Sequence, residues 1–228
     1  MNKYLVDTFR LNKELYLSEL QINQFGNASI RIKDLCYIKP SGADLKKINS
    51  KDISVVKIKN GQLISGLKPS VDLNIHLSIY KKFKNINSII HTHSLYATSW
   101  AQSGRSIPCY GTTHADYFPK EIPITNPLNK KSIKKDYEKE IGKSIISKLK
   151  KLRLNVDQIP GMLIANHGVV SWASNTKLAM ENATAIEFIA RLAFNSEFLN
   201  KKAKKLPNDL HKKHFNRKHG KNSYYGQK

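Results

Sequence analysis

The sequence is short of cysteine, of acid and of long apolar runs, and each shortage closes off a class of protein. Its 228 residues hold two cysteines, Cys36 and Cys109. Neither belongs to a Cys-X-X-Cys pair, so there is no disulfide framework; both read as small core residues in a chain suited to a reducing cytoplasm. No apolar stretch approaches the roughly 18 residues that a membrane-crossing helix needs. The opening Met1-Asn2-Lys3-Tyr4-Leu5-Val6-Asp7 lacks the long uncharged apolar segment of a secretory signal, so a cytoplasmic location is expected. Internal repeats and long linkers are also missing. One α/β domain spanning 1–228, with a sizeable core, is the expectation.

The shortage of acid sets the charge: 17 Asp and Glu stand against 39 Lys and Arg, a formal charge of +22. Such an excess suits a binder of nucleic acid or of an anionic surface. Here, however, the basic residues are spread along the whole chain, with clusters at Lys46-Lys47, Lys81-Lys82, Lys130 to Lys135, Lys148 to Lys151 and Lys201 to Lys205. The aromatic interleaving of single-strand binders is absent, as is any nucleic-acid motif. Solvated basic faces are therefore expected, without a nucleic-acid or membrane partner. The positive field favours an anionic, phosphorylated substrate.

What is present centres on Ile89-Ile90-His91-Thr92-His93-Ser94. On a strand, alternate side chains share a face, so His91 and His93 project together and lie close enough to hold one ion. A third histidine, His167, ends the apolar run Gly161-Met162-Leu163-Ile164-Ala165-Asn166, with Gly168 allowing the chain to turn. Three histidines with an open fourth position is the pattern of a catalytic zinc.

In chain order, Tyr4 to Leu20 reads as a helix. Gly26-Asn27 is a turn before the alternating strand Ile30 to Lys33. Leu35 to Ile38 is a second strand, closed by Lys39-Pro40-Ser41-Gly42. Ile53 to Ile58 and Leu63 to Ser65 flank the hairpin signal Asn60-Gly61, so the first third is largely antiparallel sheet. Pro69-Ser70-Val71-Asp72 opens a helix running to about Phe83. Gly26-Asn27, Ser41-Gly42 and Ser70 are of the kind that converge on a phosphate through backbone N–H groups and small donors, although each alone is an ordinary turn or cap.

A helix is expected over Leu95 to Gln102, a short strand over Ile107 to Tyr110 and a polar loop over Gly111 to Phe118. In that loop Asp116 is a candidate general acid or base, or a plain solvated charge. Pro119 to Asn129 reads as irregular surface chain, and Ser132 to Lys151 as a long basic amphipathic helix. Strands follow, one ending at His167 and one over Val169 to Trp172. The helix opening at Thr176 repeats Ala179, Ala183, Ile186, Ala190 and Ala193 on one face, which packs on a sheet. The tail carries His211, His214, Arg217 and His219, then Tyr224-Tyr225-Gly226-Gln227. It is either frayed or docked on another subunit with a proton donor.

These blocks together resemble the class II aldolase/adducin family. The resemblance is carried by His91-Thr92-His93-Ser94-Leu95-Tyr96-Ala97-Thr98-Ser99-Trp100-Ala101-Gln102, by Ile38 to Gly42, by Pro69 to Asp72 and by His167-Gly168. Gly111-Thr112-Thr113-His114-Ala115-Asp116-Tyr117-Phe118 and the Tyr-Tyr-Gly-Gln ending are more specific and look like the L-ribulose-5-phosphate 4-epimerase branch rather than the aldolases. The resemblance implies an α/β fold with a central, largely antiparallel sheet flanked by helices. It also implies a homotetramer whose active sites lie between subunits, and a small pentulose phosphate substrate. It implies a divalent metal, Zn2+ or another such as Mn2+ or Co2+, on His91, His93 and His167, with Asp72 as a possible further ligand. Phosphate would be held by Lys39, Gly26, Asn27, Ser41, Gly42, Ser70 and Val71. Asp116 and Tyr225 match the acid/base pair, and His214 a supporting histidine brought with the tyrosine by the tail, about 206–228, of a neighbouring subunit. One position departs: Val71 stands where the family usually has a second serine, so a hydroxyl donor of about 1.5–3 kcal/mol to a charged group is lost while the backbone N–H stays.

Overall fold

The computed structural model describes residues 2–221 and 223–225. Its frame is a seven-stranded sheet built from β1 (Asn27–Ile32), β2 (Leu35–Ile38), β3 (Ser54–Lys57), β4 (Leu63–Ser65), β5 (Ser88–Thr92), β6 (Gly161–Ile164) and β7 (Gly168–Ala173), in the order β4-β3-β2-β1-β5-β7-β6. Every ladder between neighbouring strands is antiparallel. Around it pack α1 (Lys3–Leu17), α2 (Leu73–Lys82), α3 (Leu95–Gln102), α4 (Thr112–Ala115), α5 (Lys130–Lys151), α6 (Thr176–Leu199) and α7 (Asn208–His219). No helix among the described residues is long and apolar enough to cross a membrane.

Both faces of the sheet are covered, which explains strands that are apolar at consecutive positions. Ile89 enters the main core with α2, α3 and α5, whereas Ile90, one residue on, enters a second cluster with Leu11 and Leu15 of α1. Cys36 and Ile38 of β2 point to the main core, and Tyr37 between them to a third cluster with Ile53 and Val55. The small-residue face of α6 is buried throughout, but it is shared. Ala179 and Ala183 pack with α1, while Ile186, Ala190 and Ala193 join the main core.

Three local expectations are corrected. Ile107 to Tyr110 is not a strand; Ile107 forms a single bridge to Ile122, and Pro108, with no N–H to donate, stops a ladder from growing. Gly111 to Phe118 is not a plain loop, since Thr112–Ala115 closes into α4. Residues 208–219 of the tail are not frayed: they form α7, which packs against α4.

Helix α5 is bent. Asp136 leaves helical geometry for an extended conformation (φ −162°, ψ 84°), and its Oδ1 accepts from Lys139 N–H at 3.3 Å, so the second half of the helix starts with its own cap. Beyond the bend α5 lies tightly on α2. A Cβ placed on Gly142 would sit 2.4 Å from Ser78 Cβ. Gly142→Ala is therefore expected to destabilise the protein by about 1–3 kcal/mol, and Ser78→Gly to restore most of that loss, read as thermal midpoints in a double-mutant cycle.

Candidate metal centre and active site

β5 is flanked by β1 and β7, so His91 lies in the middle of the sheet, opposite Asn27 on one side and Val170 on the other. His91 is fully buried. Its Nδ1 is 2.9 Å from the Val169 carbonyl. A carbonyl only accepts, so Nδ1 carries a proton, and Nε2 is the nitrogen left to offer a lone pair to an ion. That Nε2 is 3.2 Å from Nε2 of His93, which follows the last residue of β5. His167 is not at the end of β6 but in the Ala165–His167 turn between β6 and β7, where Asn166 takes a positive φ of 58°. Gly168 brings this turn against β5: a Cβ there would lie 2.5 Å from Thr92 O and 3.3 Å from His91 Cε1.

The three ring centroids stand 4.9 Å apart in each pair, and one nitrogen from each ring falls within 4.8 Å of the others. Burial, reinforced by neighbouring His91, holds His93 and His167 down at about 4. Both are neutral at neutral pH, with lone pairs free. Three convergent imidazole nitrogens fit a borderline divalent cation.

Asp72 adjoins this group. Burial pushes its carboxyl up, but His91, His76, His167 and the Asn27 amide together bring it below the usual range. Asn27 Nδ2 donates to Asp72 Oδ2 at 2.8 Å. The segments suspected of converging do meet here. Ser70 N–H donates to the Lys39 carbonyl at 3.1 Å, and Ser41 N–H to the Lys68 carbonyl at 2.9 Å. Lys39 Nζ, buried, donates to the carbonyls of Gln24 at 2.9 Å and Gly26 at 3.3 Å. Burial lowers the Lys39 ammonium, against the pull of Asp72. Asn27 Oδ1 is buried without a partner. Ser41 and Gly42 are exposed, and Val71, 63% exposed, turns its side chain to solvent.

Asp116 belongs to a second group. It follows α4 and is gripped by α7 of the same chain. Arg217 Nε and Nη2 donate to its two carboxylate oxygens at 3.0 and 2.7 Å. His214 Nδ1 is 3.2 Å from Oδ1, and His219 Nε2 is 2.8 Å from the Asp116 carbonyl. The Arg217 guanidinium lies 4.8 Å from the Tyr225 ring centroid, and Tyr225 N–H donates to the Arg217 carbonyl at 3.1 Å. His214 therefore meets Asp116 within one chain, where the tail histidine was expected to be supplied by a neighbouring subunit. No hydrogen bond or ring contact among the described residues joins this group to the three histidines. Gly226 and Gln227 lie outside the described residues.

Four residues were not legible as site residues. Arg217 was visible only as one more base in a basic tail. Phe25, exposed, packs at 6.1 Å on His93. Tyr137 stacks on His167 from a lysine-rich helix that carries no signal of it. His76, one turn after Asp72, is wholly buried; its Nδ1 is 2.7 Å from Ser29 Oγ, and burial takes it down to about 3. A cavity of about 580 Å3 lined by Cys109, Pro123, Leu154 and Phe215 holds none of the three histidines.

Two measurements follow from this geometry. His93→Ala should lose bound metal, read as metal per chain after dialysis; wild-type occupancy would remove His93 as a ligand. Secondly, His76 and His114 are held neutral by burial, at about 3 and about 4. The unfolded chain takes up these protons near the ordinary value of about 6.5 and the fold does not. Stability should thus be intact above that value and fall as the pH drops towards 4, by roughly 1.4 kcal/mol per pH unit for each ring. Urea midpoints of the metal-free protein at several pH values test it, with His114→Gln expected to flatten the slope.

The comparisons with known proteins agree with this fold. A family described as "Class II Aldolase and Adducin N-terminal domain" matches residues 6–194. Among solved structures, an L-fuculose 1-phosphate aldolase is 23% identical, with 95% of this chain and 96% of that one covered at a TM-score of 0.78. L-fuculose-1-phosphate aldolase from Thermus thermophilus is 18% identical over 90% of this chain and 100% of its own, at 0.68. A sugar-phosphate aldolase from Thermotoga maritima is 17% identical, with 90% and 98% covered, at 0.67. At such identities the likeness is one of fold. With the family match running from α1 into α6, the chain belongs to the class II aldolase and adducin family.

Proposed function

We propose that this protein is a metal-dependent epimerase that interconverts L-ribulose 5-phosphate and D-xylulose 5-phosphate by breaking and re-forming the C3–C4 bond. The observation that carries the reading is the Asp116 group: a carboxylate bound by Arg217 and His214, with Tyr225 over the same guanidinium. An aldolase-type metal site alone accounts for bond cleavage. Inversion needs, besides, two proton-handling groups, one for each face of the aldehyde, and we assign that pair to Asp116 and Tyr225.

C4 of a ketopentose phosphate bears no acidic proton, so simple deprotonation there does not invert it. A divalent ion such as Zn2+ on His91, His93 and His167, beside Asp72, would act as a Lewis acid for the oxyanion charge that develops as the bond breaks. The chain's own residues do the rest. One of Asp116 and Tyr225 takes the proton of the C4 hydroxyl as the aldehyde forms, and the other protonates the alkoxide when the opposite face is attacked. Asn27, Lys39, Ser41, Gly42, Ser70 and the Val71 N–H hold the phosphate of the two-carbon fragment while it turns. Recombination then stays effectively intramolecular.

The lack of a hydrogen bond or ring contact, among the described residues, between the Asp116 group and the histidines supports sites shared between copies, with the tail, about 206–228, completing a neighbouring active site in a homotetramer. The substrate is a small sugar phosphate; neither nucleic acid nor membrane enters this reading.

A second reading, a sugar-phosphate aldolase with the same metal site, is favoured by the fuculose-phosphate aldolases among its structural likenesses. Purified protein given L-ribulose 5-phosphate, before and after chelation and zinc return, separates the two. D-xylulose 5-phosphate formed in a chelator-sensitive, zinc-restored reaction supports the epimerase; free glycolaldehyde phosphate as the main product supports the aldolase. Tyr225→Phe should keep fold and metal while turnover falls about 100-fold or more, and unchanged turnover would remove its proton role.

A further inference from the structure

Tyr137 stands against the metal group with no part in the reaction described above. Its ring is parallel to that of His167, with centroids 5.9 Å apart and planes 6° apart. Its hydroxyl is 3.2 Å from His167 Nδ1. We propose that Tyr137 is a positioning residue of the metal centre, whose phenol oxygen accepts from His167 Nδ1–H and so turns the Nε2 lone pair of His167 towards His91 and His93.

His91 and His167 differ in what faces Nδ1. The partner of His91 Nδ1 is a backbone carbonyl, which fixes the tautomer because it cannot donate. A phenol is able to donate or accept, so its direction depends on where its own proton goes. Burial raises the Tyr137 phenol above its ordinary value, with smaller contributions from the carboxylates of Glu138 and Asp72. A hydroxyl proton drawn towards either carboxylate leaves the oxygen free to accept from His167. The opposite arrangement would put a proton on His167 Nε2, facing the other two imidazoles.

The placement of Tyr137 is built by the fold. It is the first residue after the bend in α5, where Asp136 caps the second helical segment and its Oδ1 lies 3.5 Å from Asn74 Nδ2 on α2. The close seat of Gly142 on Ser78 holds that segment against α2, the helix that opens at Asp72. The bend and the helix contact together set the phenol relative to His167 and Asp72. Removal of such a partner from a metal-binding histidine typically weakens metal binding about 10- to 100-fold.

This inference rests on reading the three histidines as a metal centre, and the test keeps the two apart. Zn2+ and Co2+ affinities of metal-free wild-type, Tyr137→Phe and Tyr137→Leu are measured by chelator competition, with the Co2+ absorption spectrum and the thermal midpoint with and without metal. Tyr137→Phe retains the stack and should lose about 10-fold or more in affinity, with an altered Co2+ spectrum and a smaller metal-induced rise in midpoint. Its metal-free midpoint should stay close to that of wild-type. Wild-type affinity in Tyr137→Phe overturns the proposal. So does a fall in the metal-free midpoint as large as that in the metal-loaded protein, which would make the phenol a packing residue. Failure of the wild-type protein to bind either ion overturns the metal reading itself.

Discussion

Three imidazole nitrogens gathered within 4.8 Å of one another cannot all carry protons, and the surroundings of the site follow from that constraint. To serve one ion each ring must turn a lone pair inward, and a partner for its other nitrogen helps to fix that orientation. For His91 that partner is the Val169 carbonyl on the adjacent strand. Burial supplies the rest, since a desolvated imidazole resists charging. The sheet makes the arrangement possible. β5 is flanked on both sides, so the backbone bearing His91 is fixed by two ladders, and the β6–β7 turn reaches it because Gly168 has no side chain to strike Thr92.

Behind the histidines lies a layer of polar groups that is almost closed on itself. Ser29 Oγ meets His76 Nδ1 at 2.7 Å and the Tyr80 hydroxyl at 2.8 Å. Arg31 donates to the carbonyls of Tyr80, Phe83 and Lys84, which end α2, a cation at the negative end of the helix dipole. The other end of α2 opens at Asp72, whose N–H donates to Ser70 Oγ and whose carboxylate is held by Asn27. α2 is thus tied at both ends to β1 or to the turn preceding the helix. The carboxylate beside the metal group inherits the rigidity of the sheet.

Much of this was legible in the sequence, and the parts that were not share a cause. The strand ladders, the helix from Thr176 and the three histidines announce themselves through alternation, spacing and turn chemistry, all local properties. The segments read as candidates for phosphate binding could be suspected singly, but Gly26, Ser41 and Ser70 come together through hydrogen bonds such as Ser70 to Lys39 that no spacing encodes. Tyr137 was invisible because its position depends on an extended residue inside an otherwise helical run of lysines. The short helix at Thr112–Ala115 escaped notice because one turn of helix has no periodicity to read. The contact of α7 with Asp116 of its own chain was not legible, because the two lie about a hundred residues apart.

That last contact has an entropic consequence. A carboxylate at the end of α4 and an arginine on α7 each lose side-chain freedom when they pair, and a bidentate grip fixes both. Here the loss occurs as the chain folds, with the twelve residues of α7 already ordered against α4. Whatever meets Asp116 afterwards, whether a ligand or a second copy of the chain, meets a preset group and bears less of the ordering cost. The same coupling makes the terminal helix and its carboxylate one thermodynamic unit. Fraying of α7 would strip Asp116 of its cationic partner, so local unfolding of the tail and the disappearance of the preset acid are a single event.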